Sequence, residues 1–187
     1  MYRLDSIDSL TKQAKAHGLS IWTDLLNHIQ NLPYGRNENR SDLSLVLSEG
    51  KGTCSSKHAL LKKLADLNLI PNVQLVLGLY EMNAKNTAGI GNVLKENSLG
   101  YIPEAHCYLV INNQRVDVTS ADSSFQKIKE SLLLEKEIQP EQVAKFKVNF
   151  HQEYLKNWLK ESNSSFTFAE VWKIREACIA NLEQTQK

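Results

Sequence analysis

Long apolar runs are missing from this chain. The longest, such as Leu75-Val76-Leu77-Gly78-Leu79-Tyr80, fall far short of the ~20 residues that cross a bilayer, so no membrane span and no membrane partner are expected. The amino end, Met1-Tyr2-Arg3-Leu4-Asp5-Ser6-Ile7-Asp8, lacks the apolar stretch of a secretory signal. Charge of one sign is missing too. Lys+Arg number 22 against 21 Asp+Glu, for a net charge of +1, and the pI lies near 7.7. That leaves none of the basic footprint a nucleic-acid partner requires. Cysteine is scarce: Cys54, Cys107 and Cys178 are odd in number and widely spaced, which makes no disulfide framework. Reduced thiols in a cytoplasmic setting are the expectation. No internal repeat and no low-complexity tract is visible.

What is present is ordinary globular composition, with 187 residues, 42% of them hydrophobic and 23% charged. A chain of this length can bury a core without disulfides or structural metals. The pattern reads as a single domain over 1–187. Two helices lie within 5–32, a core spans about 41–138, and a helical segment covers 140–184.

Ile7, Leu10 and Ala14, then Ile21, Trp22, Leu25, Leu26 and Ile29, recur at helical spacing. Residues 35–53 read as a long loop around the apolar patch Leu43 to Leu47. A helix begins at Thr53-Cys54-Ser55-Ser56 and runs to about Asn68. Strands are expected at 73–82, 104–111, 114–119 and 131–138, with a glycine-bearing loop at 83–103. Helices first, strands in the middle and helices last make an α+β class, with helices packed on a small antiparallel sheet.

On a helical wheel Leu61 and Ala65 fall close to Cys54, with Leu60, Leu64 and Leu67 beside them. Cys54 therefore sits at the edge of the core face, on the first helical turn. Free backbone N–H groups and the positive end of the helix dipole favour its thiolate there. Gly50-Lys51-Gly52 ahead of it lets backbone approach closely and adds a cation.

Asn112-Asn113 is a two-residue hairpin signal. With that turn, His106, Tyr108 and Val110 share one face of the hairpin and Cys107 faces the other way. Asp117 falls on the His106 face, within side-chain reach. A histidine flanked by a carboxylate is what a thiol nucleophile needs: the imidazole takes the proton and the carboxylate fixes its tautomer.

The order Cys54, His106, Asp117, with the thiol opening a helix and the other two on adjacent strands, resembles the transglutaminase-like superfamily of papain-related folds. The matching stretches are Gly50-Lys51-Gly52-Thr53-Cys54-Ser55-Ser56-Lys57-His58-Ala59-Leu60-Leu61, Glu104-Ala105-His106-Cys107-Tyr108-Leu109-Val110 and Arg115-Val116-Asp117-Val118-Thr119. Leu69 to Gly78 is similar to that family's exit from helix to strand. The resemblance covers about residues 41–120. It implies a papain-like core and a cysteine-dependent amide hydrolase or acyl transferase, working on a peptide or protein amide through a thioester, with no cofactor and no metal.

Around this triad, His58 is a flanking candidate and a minor alternative base. The backbone N–H of Cys54 is the first oxyanion donor, with Asn37, Asn39 or Ser48 as candidates for a second. Cys54, His58 and His106 together form a possible zinc set, although no metal-ligand spacing accompanies them. Lys57, Lys62 and Lys63 read as a solvated helix face, and Cys178, Trp158 and Trp172 as core. His17, His28 and His151 have no evident partner. A module of the same fold that binds a peptide or protein without turnover is the alternative from another functional class.

Overall fold

A computed structural model describes residues 2–185. Helices α1 (Ser9–Ala16), α2 (Trp22–Asn31) and α3 (Leu45–Ser48) precede the central helix α4 (Cys54–Leu67). Strand β1 (Val73–Met82) and a short α5 (Val93–Glu96) follow, then β2 (Ile102–Ile111), β3 (Gln114–Val116) and β4 (Leu132–Ile138). The long helices α6 (Lys145–Glu161) and α7 (Phe168–Thr185) complete the described chain. The class is α+β: seven helices among the described residues and a four-stranded antiparallel sheet of order β3-β2-β1-β4.

Alternation along the strands divides the interior in two. Leu75, Leu77 and Leu79 of β1 join Ala105, Cys107 and Leu109 of β2 on one face, covered by Leu60, Leu61 and Leu64 of α4 and by Leu25 and Ile29 of α2. Val76, Tyr80 and Tyr108, one residue out of step, face Leu155 and Leu159 of α6 and Val171, Ile174 and Cys178 of α7. Both long C-terminal helices pack on β2. The second face closes over Gly78, where a Cβ would stand 2.9 Å from the Tyr108 ring. Gly78→Ala is therefore expected to cost about 1–3 kcal/mol through overpacking, seen as a lower urea midpoint at unchanged m-value.

The Asn112-Asn113 turn has φ of 49° and 65°, as the left-handed two-residue turn requires. It sets the register Ile111↔Gln114, Val110↔Arg115 and Leu109↔Val116. β3 then stops at Val116, three residues short of the strand read from the sequence. Asp117 Oδ1 accepts from both the N–H (3.0 Å) and the hydroxyl (2.6 Å) of Thr119, and this side-chain turn pulls the backbone off the ladder. The 35–53 and 83–103 stretches hold more regular structure than a loop: α3 in the first, a 3-10 turn at Ala88–Ile90 and α5 in the second.

Candidate active site

Thr53 caps α4. Its N–H donates to Ser56 Oγ at 3.0 Å and its hydroxyl accepts from the Ser56 N–H at 3.4 Å, a reciprocal box that fixes the first turn. Gly52 must lack a side chain, since a Cβ would lie 2.9 Å from both Ser56 Oγ and Lys57 Cγ. Backbone pairing of Tyr34 with Gly52 brings that segment alongside. Cys54 follows as the first helical residue, 7% exposed.

From the hairpin, His106 donates through Nε2 to Asp117 Oδ2 at 2.9 Å. That leaves Nδ1 for the thiol. Burial opposes charge on His106, but the Asp117 carboxylate and then Cys54 outweigh it and hold the imidazole well above its ordinary pKa. Asp117 is held well below the carboxylate range: burial pushes it up, and the charge and hydrogen bond of His106, with His58 and Thr119, more than reverse this.

A second cation, Lys147 of α6, was not singled out in the sequence. It is 8% exposed, and its Nζ donates to Ser55 Oγ at 2.6 Å and lies 3.7 Å from Cys54 Sγ. Burial alone would raise the Cys54 pKa. Lys147 first, then His106 by charge and hydrogen bond, and the Cys107 N–H overcome it and bring the thiol down to about 6. A thiolate poised beside an imidazolium and an ammonium is a competent nucleophile near neutral pH.

The remaining predicted residues fall in other places. His58 is fully buried and bonded at both nitrogens. Nδ1 donates to the Cys54 carbonyl at 2.7 Å, and Nε2 accepts from the Val118 N–H at 2.9 Å. Burial drives its pKa down to about 4. It is therefore neutral, unable to act as the base, and serves to tie the start of α4 to the Asp117 segment. With both nitrogens committed, it also drops out of the zinc set. Among the described residues no group of three His, Cys, Asp or Glu is arranged to hold a metal ion.

Lys57 corrects the solvated-face reading. It is fully buried, and its ammonium donates to the carbonyls of Leu32 (2.5 Å) and Thr119 (2.6 Å). Burial lowers its pKa to about 8. Ser48 and Asn39 are exposed and line neither cavity that reaches Cys54. Ser48 donates to the Ser44 carbonyl and Asn39 accepts from Ser41 N–H. Neither is an oxyanion donor in this geometry. Asn37 lines a cavity, but its amide hydrogens go to Glu49, Lys51 and Leu45 oxygens.

Cys107 lies on the opposite face of β2, fully buried, with its pKa pushed up by burial. Cys178 is likewise core. His17 and His28 pair with each other, ring centroids 6.5 Å apart. His151 lies in the site region: it donates to the Pro103 carbonyl at 2.8 Å, near Glu104. Glu104 and Arg175 form a two-bonded buried pair at 2.7 and 2.5 Å.

No protein-family model matches the chain. No curated protein and no solved structure matches it either. Among the described residues no helix is long and apolar enough to cross a membrane.

Proposed function

We propose that the protein is a cysteine-dependent amide hydrolase or acyl transferase, with Cys54 as nucleophile, His106 as proton shuttle and Asp117 as the group that orients it. The observation that carries this is the thiol itself, buried at a helix start with the Lys147 ammonium 3.7 Å from its sulfur, together with the His106–Asp117 pair at 2.9 Å. The Cys54 thiolate attacks the amide carbon, and the Cys54 N–H faces the oxyanion that develops. As the C–N bond breaks, His106 gives its proton to the leaving amine, and a thioester remains on Cys54. Water then attacks, His106 takes one proton from it, and the acid leaves as the thiolate is regenerated. An amine in place of water gives transfer. Hydrolysis asks less of the pocket, so water is the favoured acceptor. The chain order of the three residues supports the resemblance to the transglutaminase-like superfamily and a papain-like reading of the core, with a peptide or protein amide as substrate.

The test is the pH dependence of iodoacetamide alkylation, resolved by peptide mass for each cysteine. Cys54 is expected to react with an apparent pKa near 6, while the core residues Cys107 and Cys178 stay inert. A Cys54 that is inert, or titrates near the ~8.5 of a free thiol, would turn the assignment to a non-catalytic binding module.

A further inference from the structure

Cys54 sits where two cavities meet. Both are bordered by Cys54, Tyr34 and Glu104, and beyond those residues they differ in size and in charge. One is narrow, about 80 Å³, and carries four cations, Lys147, Arg36, Arg40 and Arg175, against the carboxylates Glu104 and Glu176. The other is roomier, about 470 Å³, and is bordered by His106, Asp117 and Tyr80, with one further carboxylate, Asp122, and one ammonium, Lys127. Proton transfer decides which half of an amide enters which. The leaving amine must take its proton from His106, so it lies in the larger cavity. The acyl group then points the other way, past Ser55 toward Lys147.

The cations of the narrow cavity are unequal. Arg175 is spent on Glu104 and Glu176, and Arg36 on Glu176 and Glu183. Lys147 and Arg40 have no carboxylate within 4.0 Å among the described residues, and Arg40 is exposed where Lys147 is buried. Two of the three Lys147 donors are directed at Ser55 Oγ and Cys54 Sγ. In the free protein the thiolate is the counter-charge nearest this ammonium. Acylation removes that charge, because a thioester is neutral. That leaves Glu104, more than 4.0 Å away and doubly bonded to Arg175, as the carboxylate whose charge reaches Lys147. A buried ammonium so weakly countered is costly, and an acyl group that brings its own carboxylate lowers the cost.

From this we infer that the substrate is an amide whose acyl half is short and anionic, its carboxylate seated on Lys147, and whose amine half is the large one. The inference rests on Cys54 being the nucleophile. A carboxylate about 2.8 Å from Nζ lies no more than about 6.5 Å from Sγ, given the 3.7 Å between Nζ and Sγ. Such a reach admits diacid chains of about two to four carbons. A peptide or protein amine fits the larger cavity.

Iodoacetate and iodoacetamide deliver the same reacting carbon with and without a carboxylate. The ratio of their rates at Cys54 cancels the thiolate fraction, so it reads the positive charge around the sulfur, and Lys147→Met isolates the share that the ammonium contributes. Normalised to the same ratio for glutathione at pH 8, wild-type Cys54 is expected to prefer iodoacetate by about tenfold, the scale of one charged hydrogen bond. Lys147→Met is expected to lower that preference by about tenfold, and Arg40→Gln by no more than about threefold, since an exposed charge is screened. A wild-type ratio no higher than that of glutathione overturns the inference without recourse to any variant. So does a folded Lys147→Met protein that keeps the preference. In both cases a wild-type Cys54 pKa near 6 leaves the nucleophile assignment standing. Failure of Cys54 to react selectively with either reagent overturns the assignment and the inference together.

Discussion

In a His106→Ala protein, alkylation of Cys54 is expected to lose its acid limb. The midpoint moves up from about 6 toward the ~8.5 of a free thiol, and turnover of an acyl substrate falls by about 10²–10⁴ with the loss of the proton shuttle. Lys147 remains, so the shift is partial. Removing Lys147 as well leaves burial unopposed by either cation and takes the thiol higher still. The two profiles are expected to cross. A thiolate of low pKa is the weaker nucleophile, so the limiting rate at high pH is greater in the variant even as the rate at pH 6 collapses. General loosening of the fold would raise both limbs, whereas loss of the shuttle produces a crossing. The same residue sets a stability signature. His106 has a raised pKa in the folded protein, so its contribution is complete below its ordinary value of ~6.5 and is lost as pH rises through the raised one. Urea unfolding of the wild type should show that alkaline decline, and the alanine variant should lack it.

Glu104→Gln is expected to be the most damaging conservative change outside the triad. Glu104 is 5% exposed and takes two hydrogen bonds from Arg175. Burial pushes its carboxyl up, yet Arg175, with His151 and Lys147, holds it down to about 2. Glutamine preserves the shape and removes the charge, which leaves a largely buried guanidinium with Glu176 alone. Breaking a buried pair from one side costs about 3–5 kcal/mol, or a fall in Tm of about 10 °C for a chain of this size. The depressed carboxyl predicts the acid limb too. Its stabilisation is present above the ordinary carboxylate pKa and is lost as pH falls toward 2, so wild type and variant should converge in acid. A Glu104→Met, Arg175→Met double variant is expected to recover most of the loss, because a neutral pair asks for no counter-ion. A single variant that unfolds at the wild-type midpoint would show that the pair contributes nothing.

Much of this site is legible in local sequence. A two-residue Asn-Asn turn and the period of a strand are enough to put Asp117 beside His106, since a one-residue slip would reverse the face. Cap chemistry at Thr53 and the leucine stripe behind it place Cys54 at a helix start. Two lysines are buried against the expectation from charge, Lys57, which reads as a solvated face, and Lys147, which the sequence does not single out, and for each the signal is in the periodicity. Lys57 falls between Leu61 and Leu64 on the core side of α4, and Lys147 stands eight and twelve residues before Leu155 and Leu159 on the buried stripe of α6. Charge alone argued for solvent, but position on the wheel argued otherwise. The pairing of Glu104 with Arg175 is another matter. It joins residues 71 positions apart, and nothing in either neighbourhood announces the other. The end of β3 at Val116 likewise turns on one side chain, Asp117, bonding its own backbone rather than continuing the ladder.

The thiol and the lysine that charges it are 93 residues apart along the chain. At a synthesis rate of about 5–20 residues per second, several seconds separate their emergence. Until α6 docks on β2, Cys54 has no ammonium beside it, and only His106 and the Cys107 N–H work against burial to lower its pKa. The full depression of the thiol pKa is thus a property of the finished fold: a nascent or partly unfolded chain carries a sulfur with less thiolate, slower to be oxidised or acylated out of turn.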